Sequence, residues 1–117
     1  MKREIRDKWV EALKSGDYKK TTGQLSEVIS GKQCFFCALG VLQDLYNKEH
    51  GLEWDNKTSE LNVCSPDVVK WSGFNGEDEK LEYDYHDGHV VEDYIYEFND
   101  SYELDFETIA DLIEAQL

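Results

Sequence analysis

Apolar residues recur along the start of the chain at the period of an α-helix. Ile5, Trp9, Ala12 and Leu13 share one face, with Val10 on its edge, which predicts an amphipathic helix over residues 2–14. Ser15-Gly16 stops it, Gly16 being suited to a left-handed cap. A polar loop, 17–23, follows. Residues 24–28 fit a short strand with Leu25 turned inward. Ser30-Gly31 is a turn signal, and Gln33 to Phe36 is the returning strand of a hairpin.

From Cys34 to Leu42 no residue is charged or strongly polar. This run predicts a buried strand passing into a helix over 37–49 whose first turn is almost wholly buried. Ala38, Val41, Leu42, Leu45 and Tyr46 form its expected inward stripe. Gly40 costs a helix about 1 kcal/mol relative to Ala, so its presence there predicts close approach of another backbone. His50-Gly51 ends the helix. Residues 52–62 read as a loop, with Leu52 and Trp54 tucking back. Ser65-Pro66 starts a short helix that Ser72-Gly73 closes.

Leu81, Tyr83 and Tyr85 alternate as in a strand, and Asp87-Gly88 is a tight-turn pair. Residues 90–99 fit two periods. At period 2, Tyr94, Tyr96 and Phe98 share a face; at 3.6, Val91, Tyr94, Ile95 and Phe98 do. The helical reading is preferred because it turns Glu92, Asp93 and Glu97 outward. Asp105 caps a final helix with Phe106, Ile109, Ala110, Ile113 and Leu117 on one face. Together these elements predict one compact α+β domain over 1–117. It is helix-rich, with one or two small antiparallel hairpins packed on a central buried helix.

Apolar residues make up 40% of the 117 residues and aromatics 13%, enough for a core. The longest apolar run is far short of a membrane span, and no apolar stretch follows the basic residues at the start. A soluble, cytoplasmic protein is expected. Charge changes the picture more. Residues 1–50 carry nine Lys/Arg and seven Asp/Glu, net +2; residues 51–117 carry three and nineteen, net −16. Between Glu77 and Glu107 there are thirteen carboxylates and one lysine, Lys80. Such a half repels nucleic acid and anionic lipid and attracts a basic protein surface.

Four patterns carry candidate chemistry. Cys34-x-x-Cys37 has metal or redox spacing, but Phe35 and Phe36 fill it, and Cys64, His50, His86 and His89 are scattered as further ligands. The odd count of three cysteines argues against a disulfide framework. Buried thiols are the expectation. His86-Asp87-Gly88-His89 fits a polar hairpin tip as well as half a metal site or an acid/base pair. Lys14, Lys19, Lys20 and Lys32 form a basic cluster interleaved with Tyr18, Thr21, Thr22 and Gln24, types that hold a phosphate and stack a base. The acidic stretch permits a face that imitates a phosphate backbone; it also fits a solubilising surface.

Several segments together resemble a family of small tailed-phage and prophage proteins. They are Trp9-Val-Glu-Ala-Leu-Lys-Ser-Gly-Asp-Tyr18, Cys37-Ala-Leu-Gly-Val-Leu-Gln-Asp-Leu45, Pro66-Asp-Val-Val-Lys-Trp71, Phe98-Asn-Asp100 and Phe106-Glu-Thr-Ile-Ala-Asp-Leu-Ile-Glu114. The long acidic insertion and Phe35-Phe36 depart from that pattern. The resemblance implies a small phage accessory protein acting in the host cytoplasm, often against host defences, and it favours a helix over 90–99. It carries no catalytic residues.

A non-catalytic binding protein without a cofactor is therefore expected. In one reading it sequesters a nucleotide-derived immune signal, with Tyr18, Lys19, Lys20, Thr22 and Gln24 lining the pocket and Trp54 or Trp71 adding an aromatic face. In the alternative, Glu82, Asp84, Glu92, Asp93 and Glu97 dock on a basic, nucleic-acid-binding host protein as a decoy. A zinc-dependent or hydrolytic activity ranks third. Direct nucleic-acid or membrane binding is not expected. A homo-oligomer through exposed Tyr83, Tyr85 and Tyr96 is left open.

Overall fold

The computed structural model describes all 117 residues apart from the side chain of Tyr85. The described residues form six helices and two antiparallel hairpins, an α+β fold. In chain order these are α1 (Arg3–Lys14), β1 (Ser26–Ile29), β2 (Lys32–Phe36), α2 (Ala38–Glu49), α3 (Asn56–Ser59), α4 (Pro66–Ser72), β3 (Lys80–His86), β4 (His89–Tyr94), α5 (Ile95–Asp100) and α6 (Phe106–Gln116). No helix is long and apolar enough to cross a membrane.

α2 is the hub. Cys37 precedes it in extended conformation, and its sulfur accepts the Gly40 N–H at 3.3 Å, capping the first turn. Residues 38–44 are all buried. The inward surface is wider than the expected stripe and turned from it: Leu45 and Tyr46 are half-buried, while polar Gln43, Asp44 and Asn47 are buried. Each has a partner. Gln43 donates to Asn47 (3.2 Å) and accepts the Ser65 N–H (3.2 Å), which removes the cost of an unmet polar group.

The expected backbone contact at Gly40 exists, and Leu25 supplies it. A Cβ at residue 40 would fall on the Leu25 carbonyl oxygen, with its carbonyl carbon 2.7 Å away. The same oxygen accepts the Cys37 N–H at 3.0 Å. Leu25 itself is fully buried, although β1 begins one residue later. The β1–β2 turn, Ser30-Gly31, has both residues at positive φ (53° and 80°), the geometry of a two-residue hairpin loop.

α1 packs Ile5, Trp9, Val10 and Leu13 into the core, with Ala12 at its margin. Trp9 is fully buried, and its indole N–H donates to the Ala38 carbonyl at 2.9 Å. α6 buries Phe106, Ile109, Ala110 and Ile113. Asp105 caps it as expected, its carboxylate accepting the Thr108 N–H at 2.8 Å. Asp55 caps α3 in the same way (2.6 Å), so a helical turn stands inside the segment 52–62 expected as loop.

Residues 90–99 correct the helical expectation. Residues 89–94 are strand, paired with β3, and only 95–100 are helix. Asp87 (φ 45°) and Gly88 (φ 82°) reverse the chain tightly enough to pair 89–94 with 80–86. The helical pattern survives only where Ile95 and Phe98 reach the core.

Candidate functional site

Asp44 gathers the residues of the first candidate region. The loop after α1 runs along the end of β2: the Lys19 carbonyl accepts the Phe36 N–H (2.7 Å), and the Thr21 N–H donates to the Phe36 carbonyl (2.7 Å). That pairing stands Tyr18 edge-on to the Phe36 ring, centroids 5.0 Å apart. The Tyr18 hydroxyl donates to Asp44 Oδ2 at 2.6 Å. Trp54, on the segment after α2, donates its indole N–H to Asp44 Oδ1 at 2.9 Å, its ring 6.0 Å from that of Phe36. Lys48, one turn on from Asp44, brings Nζ to 3.0 Å from Oδ2 and 3.2 Å from the Tyr18 oxygen.

The Asp44 side chain is only 9% exposed, so its charge is held by these three donors rather than by water. Burial and the neighbouring carboxylate push the Tyr18 phenol up to about 12, which keeps it a donor. The hydrogen bond to Asp44 raises the Lys48 ammonium. Beside this cluster runs an open groove of about 610 Å³, with Lys8, Glu11 and Asp17 also lining it.

The expected ligand residues are only partly gathered. Tyr18 and Trp54 meet on Asp44. Lys19 and Thr22 are exposed, Lys20 is half-buried at the bridge to Phe36, and Gln24 donates to the Ser26 carbonyl at 2.5 Å; none lines the groove. Trp71 packs on Tyr46 (5.3 Å) and donates to Glu49 (2.7 Å). Positions 44 and 46 of a helix point about 200° apart, so Trp54 and Trp71 serve opposite sides of α2. Lys14 is spoken for: it pairs with Asp111 (2.8 Å) and Glu114 (3.4 Å) on α6. Asp44, Lys48 and Phe36 were missed. Only the i, i+4 spacing of Asp44 and Lys48 signalled their pairing.

The second candidate region is the β3–β4 hairpin. Its register sets Leu81 opposite Asp93 and Tyr83 opposite Val91 on the face that meets the core, where Tyr83 packs on Phe98 at 5.9 Å. The other face carries Lys80 opposite Tyr94, Glu82 opposite Glu92 and Asp84 opposite Val90. Like charges directly opposite one another destabilise a sheet. Of the five acidic residues expected to dock, Glu82, Asp84 and Glu92 thus share a face. Asp93 lies on the inner face, and Glu97, on α5, accepts from the hydroxyl of Ser101 just past the helix (2.8 Å). Among the described residues no lysine or arginine comes within 4.0 Å of any carboxylate from Glu77 to Glu107. Lys80 lies instead over the Tyr94 ring, at 5.2 Å. Gln116 pins the hairpin: its amide accepts the Glu82 N–H and donates to the Glu82 carbonyl, both at 2.7 Å.

Tyr83 and Tyr96, expected as exposed, are half-buried, the latter stacked on Tyr94 at 5.3 Å; the Tyr85 side chain lies outside what is described. Of the cysteines, Cys37 is buried, and Cys34 and Cys64 are half-buried. Burial pushes the Cys37 thiol up to about 12 and that of Cys64 well above its usual value, so both stay protonated at neutral pH. His86 and His89 are exposed at the hairpin tip, rings 6.2 Å apart and nearly parallel. Among the described residues no three of His, Cys, Asp and Glu are grouped to hold a metal ion.

No curated protein and no solved structure matches this chain. One family model does, a domain of unknown function, and it spans residues 1–117. The chain belongs to that family, DUF8296.

Proposed function

We propose that this protein is a non-catalytic binding module that docks a basic partner on the outer face of β3–β4. One observation carries this reading: Glu82 directly faces Glu92, with Asp84 beside them, and among the described residues no lysine or arginine comes within 4.0 Å of the three, Lys80 on the same face lying over Tyr94 instead. The fold accepts a repulsion here that a cationic partner would relieve. The net charge of −14 lends the same partner long-range attraction. The resemblance to small phage accessory proteins suggests the partner class: a basic, nucleic-acid-binding protein of the host's defences, met in the cytoplasm, whose phosphate-binding surface the carboxylates occupy. Sequestration of a nucleotide-type signal is less favoured, because Lys14 is already paired and Lys19, Lys20, Thr22, Gln24 and Trp71 do not converge on one groove.

The test is capture from host lysate at low and high salt, with the captured proteins identified. Basic nucleic-acid-binding proteins should be retained at low salt and released at high salt. The variant Glu82→Gln/Asp84→Asn/Glu92→Gln should lose them. A control with the same net charge, Glu4→Gln/Glu27→Gln/Glu53→Gln, should keep them. Equal capture by both variants would refute the reading.

A further inference from the structure

We propose that Asp44, Tyr18, Phe36 and Trp54 form a binding site for an alkylammonium group, and that in this structure the protein's own Lys48 occupies it. An ammonium site needs a carboxylate, an aromatic face and a path from solvent. All three are present. Asp44 is held at the wall of the groove with nine-tenths of its side chain buried. The Tyr18 and Phe36 rings, packed in a T, form the aromatic wall, with Trp54 behind Phe36 and outside the groove lining. The Lys48 Nζ stands 5.3 Å from the Tyr18 centroid and 3.0 Å from Asp44. An ordinary i, i+4 pair on a helix surface has neither a buried carboxylate nor a phenol oxygen as second acceptor for the cation, here 3.2 Å away.

Lys48 is a tenant that can leave. Its side chain is 69% exposed, so swinging its stem into solvent uncovers little surface and restores rotamer freedom. Asp44 then keeps the Tyr18 hydroxyl and the Trp54 N–H, and the site persists with one donor position open. Glu11 and Asp17 on the groove add two more carboxylates, while Lys8 reaches out to Glu49 at 3.6 Å. The groove therefore favours an extended cation with more than one positive centre and disfavours anions. Two sources share this chemistry, a free polyamine and a lysine side chain. The site is separate from the β3–β4 face and stands or falls without it.

The experiment uses Lys48→Met, which keeps the stem and removes the ammonium. Spermidine and Nα-acetyl-lysine amide are titrated into wild type and variant, with calorimetry for affinity and the Trp54 indole N–H resonance as the site-specific signal. Lys48→Met should bind about tenfold tighter than wild type, since its internal competitor is gone, and the Trp54 resonance should shift with saturation. A shift with spermidine alone supports a free polyamine; a shift with the lysine derivative as well supports a side-chain ligand. Glu82→Gln/Asp84→Asn/Glu92→Gln in the Lys48→Met background should leave the Trp54 shift and its half-saturation point unchanged, whatever heat the β3–β4 face contributes. Affinity equal to wild type, or binding that leaves Trp54 unmoved, would overturn the proposal.

Discussion

The carbonyl oxygen of Leu25 fills the space that a side chain on residue 40 would need. This contact locks the strand entering β1 onto the first turn of α2. Replacing a helical glycine by alanine ordinarily gains about 1 kcal/mol in helix propensity. At Gly40 the obstacle is backbone, already hydrogen-bonded to the Cys37 N–H, and cannot step aside. Gly40→Ala should therefore destabilise, by about 1–3 kcal/mol as in overpacked cores. Urea denaturation checks the sign, and a stabilised variant would refute the close contact.

Asn99 makes the corresponding link on the other side of α2. Fully buried, it accepts the Ala38 N–H on Oδ1 (3.1 Å) and donates from Nδ2 to the Thr21 carbonyl (2.9 Å). It joins α5, the start of α2 and the Tyr18 loop through one amide. Asn99→Ala should cost about 1–3 kcal/mol for each buried group left without a partner. Loss of protection in hydrogen exchange at Ala38 would locate the damage.

Amphipathic period and end signals made α1, α2, α4 and α6 legible in the sequence, because helices bury a stripe and announce their ends. Gly40 pointed to a backbone contact for the same local reason. Residues 90–99 were misread because the segment fits both periods, Tyr94, Tyr96 and Phe98 at 2 and Val91, Tyr94, Ile95 and Phe98 at 3.6, and the deciding term was the Asp87-Gly88 turn acting across the hairpin. The burial of Asn99 and of Asp44 could not be read. Asn99 meets Ala38 61 residues away and Asp44 meets Tyr18 26 residues away, and beyond the i, i+4 spacing of Asp44 and Lys48 nothing nearby marks either as buried. The acidic stretch was plain as composition, but only register reveals that Glu82 and Glu92 are opposed while Asp93 faces inward.

The Tyr18–Asp44 bond has a signature in alkali. Burial, with Asp44 beside it, raises the phenol to about 12, from an unfolded value near 10. A raised value means the stabilising contribution is complete below about pH 10 and is lost as pH climbs toward the folded value. Tyrosine-resolved carbon NMR should find Tyr18 ionising among the last phenols. Tyr18→Phe should remove that late step and lower stability at neutral pH.

Asp105 has the opposite dependence. Its hydrogen bonds to Thr108 hold the carboxyl below its usual range, so its contribution is present above about pH 4 and is lost as pH falls through the depressed value. Asp105→Ala should cost about 1 kcal/mol at pH 7, no more because the cap is solvent-exposed. The gap between variant and wild type should close in thermal melts at acid pH.

If the β3–β4 face, rather than overall charge, engages a basic partner, poly-L-lysine should single it out. Fluorescence anisotropy of labelled protein with poly-L-lysine compares Glu82→Gln/Asp84→Asn/Glu92→Gln with the charge-matched Glu4→Gln/Glu27→Gln/Glu53→Gln at several salt concentrations. The hairpin variant should bind about tenfold more weakly than the matched control and lose much of its salt dependence. Indistinguishable curves for the two variants would show that the face has no part in binding.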